Sequence, residues 1–380
     1  MITRRHLVAA MAAASFVSRI PRARGASDFD PDFGSATEAA RAIRTGVISS
    51  HELTTHVFER IRKYNGRVNA FVTLVEDRAT AQAPAADEAQ AQGKPTGPLY
   101  GVPIPIKDDK KTAGIRSTCG AKIYAGNVPK ENAPAVQRLL DAGAIIVGKT
   151  NLPECVSDFQ SYNEVAGHDQ QSMESPADLR RVHERARVGA GPRYGVSGTR
   201  QRYRRAIRTP SHFCGVFGHK PTIDVISDEG FVEPPDANPS PDRLSVNGPL
   251  SRNPRDLLLA LQLAGGPAGM QRIADSWNLP PARGAQLRDY RIGYNVGRSL
   301  LPGGAGLRIA EWYGAYFTML GSSVVPNDPT ARRCWADYFR DHDAFPMPVD
   351  FVTAFPHDHS PDMWRVRSPL PPGCVLIWTC

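Results

Sequence analysis

The sequence predicts an α/β fold, a central sheet covered by helices, and three neighbouring segments carry that expectation. Residues 102–106 (VPIPI) are a short apolar run that reads as a strand despite its two prolines. Residues 133–142 have helical character and stop at Gly143, a natural C-terminal cap. Residues 144–147 (AIIV) then read as a buried strand. Strand, helix, strand in that order is the signature of a sheet with helices packed on it.

The flanking segments agree. Ser35 with Glu38, and Ser49 with Glu52, each fit the capping box that opens a helix. After the second box come Leu53, Val57, Phe58 and Ile61, an apolar stripe at helical spacing that belongs in a core. Residues 76–96 are rich in alanine and glutamine, and residues 94–98 (KPTGP) make a turn. Residues 254–264 form a further helix with Pro254 in its first turn. There is no internal repeat, and beyond about residue 285 the pattern weakens into a proline-rich, loop-rich end.

Composition sets the outer limits. The 380 residues are 41% hydrophobic and 22% charged, enough for one large core or two lobes and unlike a disordered or fibrous chain. The six cysteines, Cys119, Cys155, Cys214, Cys334, Cys374 and Cys380, are scattered without a CxxC pair. Buried free thiols are expected, rather than a disulfide framework or a zinc site. His357 and His359 share one short loop with no third ligand nearby, so they read as a polar loop and no metal is expected. No cofactor is implied.

Residues 1–26 read as a twin-arginine export leader. Arg4 and Arg5 precede an apolar, alanine-rich run over residues 7–17, and small residues follow near Ala23 and Ala26. The run is too short to span a membrane, and no other stretch is long and apolar enough. The expected location is therefore outside the cytoplasm, in the periplasm, or the cytoplasm where residues 1–26 are an ordinary basic tail, with residues 27–380 as a single domain.

The net charge of +8 has a local origin. Residues 180–208 hold ten arginines, no lysine and one acid (Glu184), a net of +9 that leaves about −1 for the rest. An arginine-rich nucleic-acid binder is one reading of that segment. Its aromatics are Tyr194 and Tyr203 alone, however, and it carries no known binding motif, so a nucleic-acid partner is not expected.

Lys107, at the end of the 102–106 strand, is the first residue with chemical promise. A partly desolvated lysine loses basicity and can act as a general base. The structural alternative is an ion pair with Asp108 or Asp109 at the core edge. The surrounding residues 97–108 (GPLYGVPIPIKD) resemble the lysine motif of the amidase signature family, and residues 141–154 (DAGAIIVGKTNLPE) resemble the motif that follows it. Residues 159–165, 207–222 and 245–252 are similar to later family segments in the family's order. The resemblance covers about residues 35–165 and 206–265 and implies the family's fold, a central mixed β-sheet covered by helices on both faces. It also implies the activity: hydrolysis of a small-molecule amide through a Ser–Ser–Lys relay. Lys107 would be the base, acting through a bridging serine held by a cis peptide, while a second serine attacks the carbonyl and backbone N–H groups hold the oxyanion.

Both serine stretches are missing. The family's glycine-rich stretch around the bridging serine does not occur between Val165 and Pro210, and the nucleophile position, read back from residues 207–210 (IRTP), is Ala206. A displaced reading frame accounts for this. Codons chosen for residues 168–174 can be reread one base on as Thr-Thr-Asn-Asn-Pro-Trp, a common family continuation. Residues 178–184 can be reread as Thr-Ser-Gly-Gly-Ser-Thr-Ser and residues 200–205 as Gly-Ser-Asp-Ile-Gly-Gly. GGC glycine codons read out of frame become CGG, which explains the arginines. The expected displacement runs from near Gly167 to Ala206, and the lost serine pair maps to about Val182 and His183. Ser197 is out of register and Ser211 lies past the motif, so neither is expected to substitute. The chain is therefore expected to be an amidase whose sequence carries a reading error, or a decayed pseudoenzyme, and in either case to fold poorly because charge replaces core glycines. Residues 343–349 and 355–359 resemble late family segments, whereas the tail from Trp364 resembles nothing and points to an altered or truncated end.

Overall fold

The computed structural model of the chain describes residues 29–94, 97–156, 161–168, 195–197, 207–232, 246–292, 337 and 339–343. Helices α1 (Ala36–Arg44) and α2 (Ser50–Val68) both start where the capping boxes place them. Ser35 and Ser49 accept from the N–H of Glu38 and Glu52, and each glutamate reaches back to the cap backbone. Two carboxylates from elsewhere complete these helix starts. Asp256 accepts from the N–H of Ala36 (2.9 Å) and Thr37 (3.1 Å), and Asp87 from Ser50 (2.7 Å) and His51 (3.0 Å). Negative charge at a helix N-terminus satisfies free donors and complements the dipole.

Strand β1 (Phe71–Leu74) leads into α3 (Glu76–Ala91). The sequence shows that region only as alanine-rich, but alanine's helix preference and the buried stripe Ala79, Ala83, Ala86 make it a helix even with Pro84 inside. Strand β2 (Pro103–Lys107), helix α4 (Pro134–Asp141) and strand β3 (Ile145–Thr150) are the predicted strand–helix–strand, with bounds shifted by one residue except that β3 runs three residues past the predicted end. Gly143 follows α4 at φ +89°, the left-handed turn that lets the chain re-enter the sheet.

The sheet order is β1-β3-β2. β3 runs parallel to β2 and antiparallel to β1, so the sheet is mixed. Alternation along β3 divides its residues between two cores. Ile145 and Val147 pack with Val57, Phe58 and Ile61 of α2 and the alanine stripe of α3. Ile146 packs on the other side with Ile104 and Ile106 of β2, Val136 and Leu139 of α4 and Ala36 and Ala40 of α1. Helices thus cover both faces, as the resemblance implies.

The remaining elements are a β4 (Tyr162–Asn163) and β5 (Gly167–His168) pair, β6 (Gly195–Ser197), α5 (Arg208–Cys214), β7 (Phe217–Gly218), β8 (Gly248–Ser251), α6 (Pro254–Ala264) and α7 (Gln271–Ala274). Helix α6 has the predicted bounds and is capped by Asn253, which accepts from Arg255 N–H at 2.9 Å. Strands β6 and β7 pair antiparallel with β8 on either side. Among the described residues no helix is long and apolar enough to cross a membrane, and no cluster of three or more metal-ligating side chains occurs. The predicted leader, Val182, His183, Ala206, His357, His359 and the tail from Trp364 lie outside the described residues.

Candidate active site

The parallel strand β2 delivers Lys107 to the edge of the core. Its side chain is 13% exposed and its Nζ lies 3.5 Å from Asp109 Oδ2. Of the two ion-pair partners the sequence allows, the structure selects Asp109. The same carboxylate oxygen lies 3.5 Å from Lys110 Nζ, which also sits over the Phe231 ring at 4.7 Å. Asp109 is fully buried and, among the described residues, neither of its oxygens has a hydrogen-bond partner. It is therefore held by two ammonium groups at ion-pair distance.

Behind this cluster stands a third lysine. Lys149 of β3 is fully buried and donates to the Lys110 carbonyl and to Thr112 Oγ1 (2.9 Å). Asp108 turns the other way. Its Oδ2 accepts from Thr118 N–H at 3.0 Å and from the Thr118 hydroxyl, while Cys119 N–H returns to the Asp108 carbonyl at 3.1 Å. Residues 107–112 are thus a turn pinned from one side by Lys149 and from the other by residues 118–119.

Burial dominates the electrostatics, since taking a charge out of water disfavours its ionised form. Desolvation lowers the Lys107 pKa, Lys110 lowers it further, and Asp109 works against both. Lys149 is pulled down to about 8, again by burial first. Asp108 is raised by burial, against the Thr118 hydrogen bonds and the Lys149 charge. An amine with lowered basicity at a strand end can accept a proton from a neighbouring hydroxyl, which is the chemistry of a general base.

The structure brings together Lys107 and Asp109 from the sequence reading, whereas Ala206 lies outside the described residues. Ser211 is buried in α5 and donates to the Ile207 carbonyl at 2.6 Å, an ordinary helical back-bond. Sequence reasoning did not single out Lys149. Its signal was a lysine directly after the apolar run Ile145, Ile146, Val147, where a charge is costly without partners. Of the predicted buried thiols, Cys119 is buried, while Cys155 and Cys214 are partly exposed.

A family model described as Amidase matches residues 52–181 and 206–303. Among curated proteins, the chain is 33% identical over 247 residues to a glutamyl-tRNA(Gln) amidotransferase subunit of Natranaerobius thermophilus, covering 64% of this chain and 48% of that protein. It is 36% identical over 278 residues to the corresponding amidotransferase subunit of Anaeromyxobacter dehalogenans, covering 70% and 53%. The chain thus spans about half the length of the curated relatives it matches. Among solved structures, a fatty acid amide hydrolase superposes with a TM-score of 0.59 at 21% identity, covering 85% of this chain and 56% of that one. The peptide amidase of Stenotrophomonas maltophilia gives 0.54 at 23%, covering 80% and 64%. A protein described as part of a vestigial complex bearing on the origins of an s-triazine catabolic enzyme gives 0.65 at 22%, covering 85% and 83%. At these identities the structures show the fold.

Proposed function

We propose that this chain, which belongs to the amidase family, is built around Lys107 as the base for cleaving the C–N bond of a small carboxylic amide, and that as written it is inactive. The observation that carries this reading is a largely sheltered lysine of lowered basicity at the end of β2, the strand that runs parallel to β3. The intact reaction would run through two serines. Lys107 takes the proton of a bridging serine, which takes that of the nucleophile. The nucleophile adds to the amide carbonyl, the amine leaves with a proton, and water releases the acyl group. In this chain Val182 and His183 stand near the bridging position, and Ala206 stands at the nucleophile's. A methyl group has no lone pair to attack a carbonyl.

The family match is interrupted over residues 182–205, which supports the later part of the displacement expected from near Gly167 to Ala206. The similar proteins differ in what their names say they act on, so only the amide class is carried over.

Resequencing the coding DNA across codons 165–210 is the test, together with ammonia release from a panel of simple amides. A single-base change at each end is expected to restore the serine stretches. The restored chain should release ammonia, and Lys107→Met should lower that rate by about 10²–10⁴-fold. If the DNA stands as written, the chain is a relic with the fold and no nucleophile. Ammonia release by the written chain at the restored chain's rate would overturn the assignment.

A further inference from the structure

Two cysteines that the reaction does not use meet next to Asp108, the residue after Lys107. Cys119 stands in the loop after β2, and Cys155 stands in a single 3-10 turn just after β3. The Cys155 N–H donates to the Cys119 carbonyl at 2.8 Å, so the two backbones are adjacent. Both residues adopt left-handed backbone conformations, with φ 51° at Cys119 and 47° at Cys155, and both thiols are free. Cys119 is fully buried in a small apolar cluster with Leu152, Val156, Phe231 and Val232, whereas Cys155 is partly exposed. That pairing gives one accessible sulfur and one sheltered sulfur within reach of it, the arrangement in which an exposed thiol attacks and a buried thiol resolves.

We propose that Cys119 and Cys155 are a redox-active dithiol that closes to a disulfide by exchange with a small organic disulfide such as oxidised glutathione. The Cys155 thiolate attacks one sulfur of the oxidant and expels one small thiolate, leaving a mixed disulfide. Cys119, giving up its proton, attacks Cys155 Sγ and expels the second small thiolate. Two protein thiols are oxidised, one small disulfide is reduced to two thiols, and the protons end on those thiols. Exposure supports the order of events: Cys155 is open to the oxidant, and Cys119 is sheltered in the apolar cluster behind it. Closure straps the loop that hydrogen-bonds Asp108, through Thr118 and Cys119, to the segment that leaves β3. The strap lies against Asp108, the residue after Lys107: the Asp108 carbonyl accepts from the Cys119 N–H at 3.1 Å. This inference does not depend on the proposed hydrolytic reaction.

The test uses the full chain, reduced, freed of reductant and treated with oxidised glutathione, then alkylated and mapped by mass spectrometry without reduction. The expected product is a peptide pair joined through Cys119 and Cys155, lighter by two hydrogen atoms, dominant over every other pairing of the six cysteines. The same treatment in guanidinium should scatter the pairings, because the preference comes from the fold. In Cys119→Ser the reaction should stop with glutathione on Cys155. In Cys155→Ser, Cys119 should stay a free thiol. Recovery of both residues as alkylated thiols in the unsubstituted chain overturns the proposal, and so does a stable glutathione adduct on Cys155 beside a free Cys119.

Discussion

Replacing Asp109 by asparagine is predicted to make Lys107 give up its proton more readily. Asp109 Oδ2 lies 3.5 Å from the Lys107 ammonium and the same distance from that of Lys110. Two unit charges at that separation attract by ~5 kcal/mol at an effective dielectric of ~20. The carboxylate is shared between two cations, yet even a third of that attraction is worth about tenfold in proton affinity. The sign is fixed by the surroundings. Burial and Lys110 both push Lys107 toward the neutral amine, and Asp109 opposes them. Without the carboxylate, nothing among those three holds the charge. The assay is competitive trace acylation with acetic anhydride, reading the Lys107 peptide against exposed Lys94 by mass spectrometry. It needs no nucleophile, so the written chain serves. At a fixed pH below the Lys107 midpoint, acylation in Asp109→Asn should rise at least ~tenfold. Lys110→Met removes a like charge and should move it the other way. Opposite signs separate electrostatics from a general loosening, which would raise both. Acylation unchanged or lowered in Asp109→Asn would refute the reasoning.

Other positions give independent tests. Lys149 has its pKa lowered from 10.5 to about 8, so between those values the unfolded chain binds more protons and stability should rise with pH, by ~3 kcal/mol across the window. Urea titrations at several pH values should show that slope, and Lys149→Met should flatten it; parallel slopes would sink the idea. Asp256 is buried and accepts from Ala36 and Thr37 of α1 and from Ser251 Oγ at 3.0 Å, so Asp256→Ala should cost about 3 kcal/mol from a lost cap and stranded donors. A loss under about 0.5 kcal/mol by urea titration would contradict this. At Gly148 a Cβ would lie 2.4 Å from the Thr73 carbonyl oxygen, so Gly148→Ala should push β1 off β3 and cost about 1–3 kcal/mol, with hydrogen exchange faster in both strands. Finally, the written chain should melt broadly and the frame-restored chain sharply, since the resemblance implies glycines where residues 180–208 carry arginines and charge is costly in a packed interior; a sharp calorimetric transition of the written chain would count against it.

Much of the fold was legible because local rules and global packing agree. Ser35 and Ser49 announce two helices by capping chemistry, and Leu53, Val57, Phe58 and Ile61 give the buried face by spacing alone. Residues 254–264 were bounded correctly because the apolar run ends there and Pro254 acts on the first turn it stands in. Helix α3 was less legible. Its face is made of alanines, which carry little hydrophobic contrast, and Pro84 argues locally against a helix that packing on β3 sustains.

What the sequence by itself determined is the order of strands and helices and the placement of Lys107 at a strand end, because these depend on composition and spacing along the chain. Only the tertiary structure decided that β3 sits between an antiparallel and a parallel neighbour. It also chose Asp109 over Asp108 as the partner of Lys107, put Lys149 beneath the same turn and set Cys155 against Cys119. Those pairings join residues brought together by strand register and by turns in three dimensions. A charge or a thiol carries no mark along the chain of the partner it will be buried beside.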